Sequence, residues 1–502
     1  MRLDAELERE ERAARRRDRR AVGDALVLAL DQGGHASRAV LFDAAGHDVA
    51  EAHVPVATRR EGTERVEHDA DELAASLRMA AQDVCESAAA RGRDIVAAGL
   101  ACQRSTVVCW DRSDGRALSP ALSWQDRRDA GFLERLRDRA GWIRERTGLV
   151  LSPHYGANKL RWCLETLPEV RAAAASDRLA AGPLASFLAS RLLPEQPVCV
   201  DPSNAARTLL FDPATQDWVP ELLDAFGVPR HVLPLPVPTR YDYGTFRVGS
   251  RSIPLTACTG DQAAAVFACG EPAPDQVWLN AGTGAFLQRA IAADARPPDG
   301  LLKSVLFSDG SRVVYSLEAT VNGAASALDW LQTRVALDVG RAVQALPVHA
   351  PARVPLFMNG VGGLGSPWWR PDFPIEFRGD GNELAQATAV IESVAFMVAV
   401  NLELMRDAGP LGSVLMTGGL ARNDYLCQAI ADVALLPVRR LALREGTARG
   451  AAFLAAGDAA RWTEPRLDRS FTPGGSGLNA RFFGWRREMA RRGASTRTPG
   501  AA

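Results

Sequence analysis

An acidic residue, Asp31, ends the first apolar run of the chain and is followed by a turn of small residues. The whole stretch, Leu26–Asp43, consists of two short apolar runs separated by glycines, a pattern that predicts a β-hairpin. Because Gly33 and Gly34 carry no side chain, the backbone N–H groups of the turn can approach a phosphate closely. A carboxylate at this strand end could hold a metal ion bound to that phosphate. A plain hairpin with an exposed acid is the alternative for this stretch taken alone.

A second copy of this pattern begins about 250 residues later. Gln276–Asn280 is predicted as a strand, Ala281–Gly284 as a turn of small residues, and Ala285–Ala290 as a further strand. A plan repeated at this interval indicates a duplicated domain with a cleft between the halves. Two phosphate-binding turns, one in each half, favour nucleotide binding more strongly than either turn does alone.

Another acid, Asp261, lies between the two copies, within Ile253–Gly270. This segment is predicted as a strand, a tight turn and a helix, which places Asp261 at or just before the helix N-terminus. The helix dipole stabilises the ionised carboxylate there. An ionised carboxylate can accept the proton of an attacking alcohol. A helix N-cap without a chemical role is the alternative.

The elements that must position these residues are predicted as a mixture of strands and helices. Asp69 is predicted to cap a helix, and Glu72, three residues later, completes a capping-box pattern. Asp201–Leu210 is predicted as a loop and the start of a strand. The other predicted elements are the strands Asp48–Val56, Ile95–Ala101, Arg312–Leu317 and Val414–Thr417, and the helices Gly156–Thr166, Ala324–Val335, Glu383–Arg406 and one from Asn423. Together they predict mixed α/β layers rather than a purely parallel sheet.

Composition argues against several classes of protein. At 502 residues the chain is too long for a single core and predicts two large domains. The net charge of −1 gives no electrostatic basis for binding nucleic acid or a membrane surface. No apolar run reaches the length of about 18 residues that a membrane span needs. The eight scattered cysteines form no CxxC pair, which argues against a zinc site or a disulfide framework and fits a reducing cytoplasm.

Several stretches occur in an order that resembles the FGGY family of carbohydrate kinases, and within it most closely the glycerol kinases. The hairpin LALDQGGHASRAVLFD resembles the first phosphate motif of that family. The likeness extends from about residue 25 to about residue 490. The other matching motifs are VEHDADEL (Val66–Leu73), CQRST (Cys102–Thr106), SWQDRR (Ser123–Arg128), NAARTLLFD (Asn204–Asp212), TGDQAAA (Thr259–Ala265), AGTGAF (Ala281–Phe286), GGLGSPWW (Gly362–Trp369), TGGLARND (Thr417–Asp424) and FTPGG…FFGWRREM (Phe471–Met489).

The resemblance implies an α/β fold of two actin-like, ribonuclease-H-like lobes with a nucleotide cleft between them. It implies an N-terminal kinase domain at 22–255 on the sugar or polyol side and a C-terminal kinase domain at 256–458 on the ATP side. A C-terminal helix and tail follow at 459–502, and residues 1–21 are predicted to form a charged, disordered arm. FGGY kinases are often dimers or tetramers, so the resemblance implies a homodimer or homotetramer. The expected cytoplasmic location follows from the cysteines, and the expected lack of a nucleic-acid or membrane partner follows from the charge and the short apolar runs.

The activity implied by the resemblance is transfer of the γ-phosphoryl group of ATP to a hydroxyl of a small polyol or sugar. By motif match Asp261 is the catalytic base, and Asp31 is the acid associated with Mg²⁺. The residues implied to bind substrate are Arg104, Ser105, His154, Asp261, Gln262 and Phe286. The residues implied to bind the cofactor ATP are Gly33, Gly34, Arg38, Gly282, Thr283, Gly284, Gly418, Gly419 and Asn423.

The chain departs from the glycerol-kinase pattern at several positions. A Thr pair is usual after the first glycine of the hairpin turn, whereas this chain has Gly34-His35. Ser105 stands where a substrate-binding Glu is expected, and His154 stands where a Tyr is expected. Ile375–Arg378 replaces a usual Phe-Gly-Leu stretch. These departures leave the polyol or sugar open, and a kinase-like nucleotide- or sugar-binding protein with weak or no turnover is the alternative.

Overall fold

A computed structural model describes residues 25–346, 353–457, 462–475 and 477–494. The charged arm predicted at 1–21 lies outside the described residues, as does part of the tail predicted at 459–502. The chain divides into two compact units. The first comprises Met1–Glu271, Ser304–Val313 and Glu445–Glu464, and the second Pro272–Lys303, Val314–Arg444 and Pro465–Ala502, as far as these are described.

The described residues form strands of two to ten residues. They are β1 Leu26–Gln32, β2 Ala36–Phe42, β3 Asp48–Pro55, β4 Arg59–Glu61, β5 Arg65–His68, β6 Ile95–Cys102, β7 Val107–Asp111, β8 Ala121–Leu122, β9 Leu179–Pro183, β10 Cys199–Val200, β11 Phe211–Asp212, β12 Asp217–Trp218, β13 Leu235–Pro236, β14 Thr245–Val248, β15 Arg251–Gly260, β16 Gln276–Ala281, β17 Ala285–Ile291, β18 Leu302–Ser308, β19 Val313–Val321, β20 Leu356–Met358, β21 Glu376–Arg378, β22 Ser413–Thr417, β23 Val438–Leu441 and β24 Leu467–Phe471.

The α-helices are α1 Ala70–Glu86, α2 Ala140–Thr147, α3 Gly156–Thr166, α4 Pro168–Ala175, α5 Leu184–Leu192, α6 Pro202–Ala205, α7 Pro220–Phe226, α8 Asp261–Val266, α9 Ala325–Gln332, α10 Val339–Gln344, α11 Glu383–Met405, α12 Asp424–Ala434, α13 Gly446–Ala456 and α14 Leu478–Arg491. Short 3₁₀ turns occupy Ala88–Ala90, Ala130–Arg139, Ala206–Thr208, Arg230–Val232, Phe267–Cys269, Arg406–Ala408 and Gly419–Arg422.

The main sheet of the first unit has the strand order β14-β15-β6-β1-β2-β3. Strands β1 and β2 form the predicted antiparallel hairpin, and β6 and β15 extend the sheet in parallel from β1. Ala98 and Leu100 of β6 join the apolar core that contains α1. The intervening Gly99 lies against the carbonyl of Ala451 in α13. Since alternate residues of a strand face opposite sides, α1 and α13 cover the two faces of this sheet.

A second sheet of the first unit, β4-β5-β8-β7-β9, carries two of the motifs found in the sequence. Strand β5 overlaps the start of the VEHDADEL stretch, and β7 begins directly after the CQRST stretch. Asp126 Oδ2 accepts a hydrogen bond from the N–H of Val66 at 2.8 Å, which joins the SWQDRR loop to β5. This small sheet therefore positions the loops around residues 105 and 125.

The sheet containing the second hairpin has the order β18-β19-β17-β16-β22-β23-β24. Strand β16 is antiparallel to β17 and parallel to β22, which is parallel to β23, and β23 is antiparallel to β24. The first sheet repeats this pattern: β1 is antiparallel to β2 and parallel to β6, β6 is parallel to β15, and β15 is antiparallel to β14. The duplication predicted from the two hairpins is thus present in the strand topology.

Three local predictions differ from the structure. Asp69 caps α1 as predicted, but Glu72 accepts a hydrogen bond from the N–H of Ala57, at 3.1 Å, instead of completing a capping box. Asp201–Leu210 is helical at α6 and the 3₁₀ turn after it, because Asp201 accepts from the N–H groups of residues 203 and 204 ahead of a helix that starts with proline. The helix predicted at Ala324–Val335 ends at Gln332.

The predicted domain boundary between residues 255 and 256 falls inside β15. Strand β15 pairs with β6 as far as Gly260, so its two ends belong to one sheet. The first unit accordingly continues to Glu271 and takes up Glu445–Glu464 from much later in the chain.

One helical segment among the described residues, Glu383–Ala408, is long and apolar enough to cross a membrane. Of its most apolar window, 89% is buried inside the protein. The segment contains α11, whose side chains are buried on nearly every side, as expected for a core helix of the second unit.

Candidate active site

The hairpin turn places Asp31 and Arg38 opposite each other on paired strands. Arg38 Nη1 donates to Asp31 Oδ2 at 3.3 Å, and Arg38 Nε lies 3.7 Å from Glu445 Oε2. Asp31 is 4% exposed, so its carboxylate is almost fully removed from water. A single guanidinium therefore faces two carboxylates at the end of β1.

Burial raises the pKa of Asp31 to about 7, and the attraction of Arg38 opposes this shift. The negative charges of Asp261 and Glu445 raise the pKa further, which places all three carboxylates in one electrostatic cluster. Crowded carboxylate oxygens with insufficient compensating charge are a donor set suited to a hard divalent cation.

Asp261 is the first residue of α8, directly after Gly260, as the sequence predicts. Its Oδ1 accepts from the N–H of Gln262 at 2.7 Å, which fixes the carboxylate at the start of the helix. The backbone carbonyl of Asp261 accepts from Thr447 Oγ1 at 3.4 Å. The N-terminal position keeps the carboxylate next to the positive end of the helix dipole.

Arg104 runs along the backbone immediately before Asp261. A β-carbon at Gly260 would overlap Cγ and Cδ of Arg104, so only glycine permits this approach. Arg104 is 8% exposed. The N–H of Gly260 donates to Ser203 Oγ at 2.7 Å, which ties the junction to the NAARTLLFD motif.

Gln262, the next predicted substrate residue, has an unsatisfied acceptor. Its Oε1 is buried and has no hydrogen-bond partner within the described part of the chain. Buried polar atoms normally find a partner, so this oxygen is suited to accept from a bound hydroxyl.

Ser105 and His154 are joined by a residue that the sequence interpretation did not include. Lys159 Nζ lies 2.8 Å from the carbonyl oxygen of Ser105 and 2.8 Å from that of His154. Lys159 is fully buried in α3. The one feature of the sequence that could have drawn attention to Lys159 is the rarity of lysine, because Lys159 and Lys303 are the only lysines of the chain.

The imidazole of His154 is held in one tautomer. Its Nδ1 lies 3.1 Å from the carbonyl oxygen of Trp124, which can only accept, so Nδ1 carries the proton. Although His154 is exposed, the surrounding protein lowers its pKa by desolvation, with smaller contributions from the charges of Lys159 and Arg127. The neutral ring leaves Nε2 as a hydrogen-bond acceptor.

The turn at Gly33 and Gly34 is stabilised by its neighbours. The N–H of Gly33 donates to the carbonyl of Ala36 at 3.1 Å, so this donor is already used within the turn. Thr58 Oγ1 donates to the carbonyl of Gly34 at 3.1 Å, and Gln103 Nε2 donates to that of Gly33 at 3.4 Å. The sequence interpretation gave no role to Thr58, which adds a hydroxyl beside a turn that lacks the expected Thr pair.

The turn of the second unit lies at the start of α9. The carbonyl of Thr283 accepts from the N–H groups of Ala324 and Ser326 and from Ser326 Oγ, at 3.1–3.2 Å. Thr283 is exposed. A β-carbon at Gly284 would lie 3.8 Å from the ring of Phe286. The carbonyls of Gly282 and Thr283 are thus bonded to the start of α9.

Gly418 and Asn423 lie beyond the end of β22. Gly418 has a φ of 93°, and a β-carbon there would overlap the carbonyl of Ala281, so glycine is required. Asn423 is 2% exposed and caps α12, with Oδ1 accepting from the N–H of Leu426 at 2.7 Å and Nδ2 donating to the carbonyl of Val343 at 2.7 Å. Both ends of its amide are therefore bonded within the second unit.

Glu51, His53 and Glu445 have ligand atoms within 4.8 Å of one another. Glu51 and His53 are exposed on β3, and Arg38 also lies beside Glu445. Asp31, the predicted Mg²⁺ ligand, is not part of this group.

Comparison with known proteins assigns the chain to a family. The N-terminal domain of the FGGY family of carbohydrate kinases matches residues 26–268, and the C-terminal domain matches residues 277–459. The chain belongs to the FGGY family of carbohydrate kinases. As a member of that family it is an ATP-dependent kinase of a polyol or sugar, with ATP as co-substrate.

The FGGY kinase is similar to curated proteins named glycerol kinase over most of its length. That of Methylobacterium nodulans is 34% identical over 494 residues, which cover 92% of this chain and 97% of the relative. That of Thermus brockianus is 35% identical, and the match covers 93% of this chain and 98% of the relative.

Solved structures support the two-domain, actin-like fold of the FGGY kinase. Plasmodium falciparum glycerol kinase with ADP superposes with a TM-score of 0.84 at 21% identity, covering 93% of this chain and 98% of that one. A xylulose kinase from Rhodospirillum rubrum gives a TM-score of 0.81 at 21% identity, with the same coverage. At these identities the likeness concerns the fold alone.

The predicted site residues of the FGGY kinase are distributed over both units. The first unit holds Asp31, Gly33, Gly34, Arg38, Arg104, Ser105, His154, Asp261 and Gln262, and the second holds Gly282, Thr283, Gly284, Phe286, Gly418, Gly419 and Asn423. Within the first unit, the charge coupling of Asp31 with Asp261 and the packing of Arg104 on Gly260 bring three of the predicted residues together. Glu445 and Thr447 join them from the start of α13.

Proposed function

We propose that this FGGY kinase phosphorylates a hydroxyl of a small polyol or sugar, with Asp261 as the general base. The observation that carries the proposal is the grouping of Asp31, Arg104 and Asp261 around the junction of β15 and α8. Phosphorylation of an alcohol needs a base for the hydroxyl proton and groups that position the substrates and balance their charge. Asp261, Asp31 and Arg104 are suited to these roles.

In the proposed mechanism, Asp261 accepts the proton of the acceptor hydroxyl as its oxygen attacks the γ-phosphorus of ATP. The bond from the γ-phosphorus to the bridging oxygen of ADP breaks, and ADP leaves. Arg104 and Gln262 bind the other hydroxyls of the acceptor, and the unsatisfied Gln262 Oε1 supports this role. The α8 N-terminus and the hydrogen bond from Gln262 N–H hold the base in place. Phosphoryl transfer depends mostly on such positioning and on charge neutralisation.

We also propose that Asp31 holds Mg²⁺, with Asp261 and Glu445 nearby. The pKa of Asp31 is raised chiefly by burial and further by the charges of Asp261 and Glu445, and a divalent cation would compensate this buried negative charge. When bound, Mg²⁺ would neutralise charge on the phosphates of ATP. Arg38 keeps Asp31 oriented through its hydrogen bond.

For ATP we propose Gly34 in the first unit, and Gly282–Gly284, Gly418 and Gly419 in the second. Gly33 has a supporting role, because its N–H is used within the turn. The exposed hydroxyl of Thr283 is suited to a phosphate oxygen. Gly419 has open space at its β-carbon position, which leaves room for a flat nucleoside. The internal bonds of Asn423 favour a supporting role for this residue over a direct contact.

The acceptor is expected to differ from that of a typical glycerol kinase. Ser105 removes a carboxylate from the pocket pattern, and His154 offers a neutral Nε2 acceptor. Relatives named glycerol kinase support a polyol. A site that binds hydroxyls through hydrogen bonds discriminates strongly among acceptors.

The experiment is an acceptor panel with the purified protein. ADP release is measured with MgATP and glycerol, erythritol, xylitol, xylulose or gluconate, and the phosphorylated product is identified by mass spectrometry. At least one acceptor should give ADP and phosphorylated product in equal amounts. ATP binding without acceptor-dependent turnover would contradict the proposal and support a kinase-like binding protein.

We further propose that the enzyme works in the cytoplasm as a homo-oligomer. All eight cysteines are free, and seven are buried, which suits a reducing compartment. The net charge of −1 supports the absence of nucleic-acid and membrane partners. Light scattering after size exclusion tests the assembly, since a monomeric mass at all concentrations would contradict it.

A further inference from the structure

Lys159 is a buried lysine bonded to two backbone carbonyls. It lies in α3 with no exposed surface, and its Nζ is 2.8 Å from each of the carbonyl oxygens of Ser105 and His154. Lysine is seldom fully buried, because an ammonium group taken out of water must recover its hydrogen bonds inside the protein. The two carbonyls accept hydrogen bonds that replace those the ammonium group would make with water.

The charges nearest to Lys159 are paired with each other. Asp126 attracts its ammonium and Arg128 repels it, while Arg128 Nε donates to Asp126 Oδ1 at 2.8 Å. Burial lowers the pKa of Lys159 to about 7. Both the ammonium and the neutral amine carry at least two N–H donors, so the link to the carbonyls persists in either form.

The two carbonyls come from separate parts of the chain. Ser105 follows β6 and has a φ of 65°, a left-handed conformation that is costly for a residue with a side chain. His154 precedes α3 and is also linked to Trp124 through its ring. A strained residue of this kind persists only where its surroundings hold it, and Lys159 is one of the groups that do so.

Both linked residues stand where the chain departs from the glycerol-kinase pattern. We propose that Lys159 is a positioning residue that sets acceptor specificity, by holding Ser105 and His154 at a fixed separation through their carbonyls. The inference rests on the proposed function, in which Ser105 and His154 contact the acceptor. Lys159 itself acts through these residues and touches neither the acceptor nor ATP.

Lys159 also influences the state of His154. Its positive charge is one of the contributions that lower the pKa of His154, after desolvation. Without that charge the imidazole would be protonated at a higher pH and would lose its free acceptor at Nε2. A change in the pH profile of acceptor binding therefore distinguishes this role from a purely structural one.

The test compares Lys159→Met, Lys159→Gln and Lys159→Arg with a matched control, Lys303→Met. Lys303 Nζ likewise bridges two carbonyls, those of Ala293 at 2.7 Å and Ala295 at 3.0 Å, in the second unit. The KM for the best acceptor in the panel and the KM for ATP are measured between about pH 6 and 9, across the ordinary pKa of histidine.

Lys159→Met should raise the acceptor KM by about tenfold or more and leave the ATP KM within about twofold. The acid limb of the acceptor KM profile should move to higher pH, and Lys159→Arg, which retains charge and donors, should recover part of the loss. Lys303→Met should match the wild type. Equal effects on both KM values, or a Lys159→Met enzyme that matches Lys303→Met, would overturn the inference.

If Lys159→Met does not fold, Lys159→Gln is judged by the same criteria. Hydrogen exchange on the wild type gives a further test that needs neither a variant nor turnover. Titration with the acceptor, in the presence of a non-hydrolysable ATP analogue, should protect the peptides around Ser105 and His154 with one common midpoint. Protection of only one peptide would overturn the inference, whereas failure of the proposed function would be seen separately, as no turnover in the wild type.

Discussion

The side chain of Arg104 lies against the backbone of Gly260, one residue before the proposed catalytic base. A β-carbon at position 260 would overlap Cγ and Cδ of the arginine. The strand end that carries Asp261 and the pocket arginine therefore have a fixed relationship, which depends on the absence of a side chain at a single position.

Gly260→Ala should displace Arg104 and raise the acceptor KM by about tenfold or more. We expect a loss of about 1–3 kcal/mol in the free energy of unfolding, as is typical of overpacked sites. The matched control is Gly141→Ala in α2, where a β-carbon meets nothing within 4 Å. Steady-state kinetics and urea denaturation measure both effects. Wild-type kinetics in Gly260→Ala would contradict the proposed role of Arg104.

Asp261→Asn should lower kcat by about 10²–10⁴-fold, because the amide cannot accept the proton of the acceptor hydroxyl. ATP affinity, measured by calorimetry, should change little. Asp83→Asn on the exposed face of α1 controls for the loss of one carboxylate. A variant at 261 that retains most of its turnover would identify a different base.

Asp31→Asn should stabilise the metal-free protein at high pH. The pKa of Asp31 is about 7 in the folded state, well above its ordinary value of 3.8. The folded state therefore binds this proton more tightly than the unfolded state, and wild-type stability falls as the pH rises from about 4 to 7. The asparagine variant lacks this cost, so its advantage should be absent at about pH 4 and complete above about pH 7, at no more than about 4 kcal/mol.

Thermal melts in the presence of a chelator measure this advantage. Added Mg²⁺ should raise the melting temperature of the wild type and have little effect on Asp31→Asn, because a ligand of the ion has been removed. A stability difference that does not vary with pH would contradict the raised pKa. An equal response of both proteins to Mg²⁺ would contradict the proposed metal role.

Gly34→Thr should be tolerated and improve the use of ATP. A β-carbon at this position would be 3.8 Å from Gln103 Oε1, an ordinary contact, and the new hydroxyl would stand where glycerol kinases usually have one. One added hydrogen bond to phosphate, worth about 1 kcal/mol, corresponds to about a fivefold gain in kcat/KM for ATP. Gly33→Ala is the control, because its β-carbon would be only 3.2 Å from the carbonyl of Ala36. Equal losses in both variants would show that the turn excludes side chains altogether.

Local patterns predicted the parts of the site that depend on neighbouring residues. The hairpin, the position of Asp261 at a helix start and the second hairpin at Gln276–Ile291 are confirmed, since glycine spacing and apolar runs determine them. The roles of the individual site residues stay predictions. The prediction of a loop and a strand start at Asp201–Leu210 was wrong, because the capping aspartate and the proline after it start a helix there.

Other parts depend on contacts between distant segments, which one sequence does not reveal. Glu445 comes to within 3.7 Å of Arg38 from more than 400 positions away. Thr58 approaches Gly34 from the loop between β3 and β4, and Lys159 reaches Ser105 from within a helix. The sequence likewise did not predict the two hydrogen bonds of the Asn423 side chain. An asparagine at this position of the motif could either cap a helix or contact a nucleoside.

The first unit cannot be completed during synthesis until α13, which comes much later in the chain, has been made. A β-carbon at Gly450 would overlap the carbonyl of Ala264, and Arg449 donates to the carbonyls of Gly46, Ala268 and Thr463. Since Glu445 follows Glu271 by about 170 residues, a ribosome adding 5–20 residues per second needs roughly 10–35 s to supply this helix. During that interval the face of the β15-β6-β1 sheet that α13 covers in the folded chain lacks this cover.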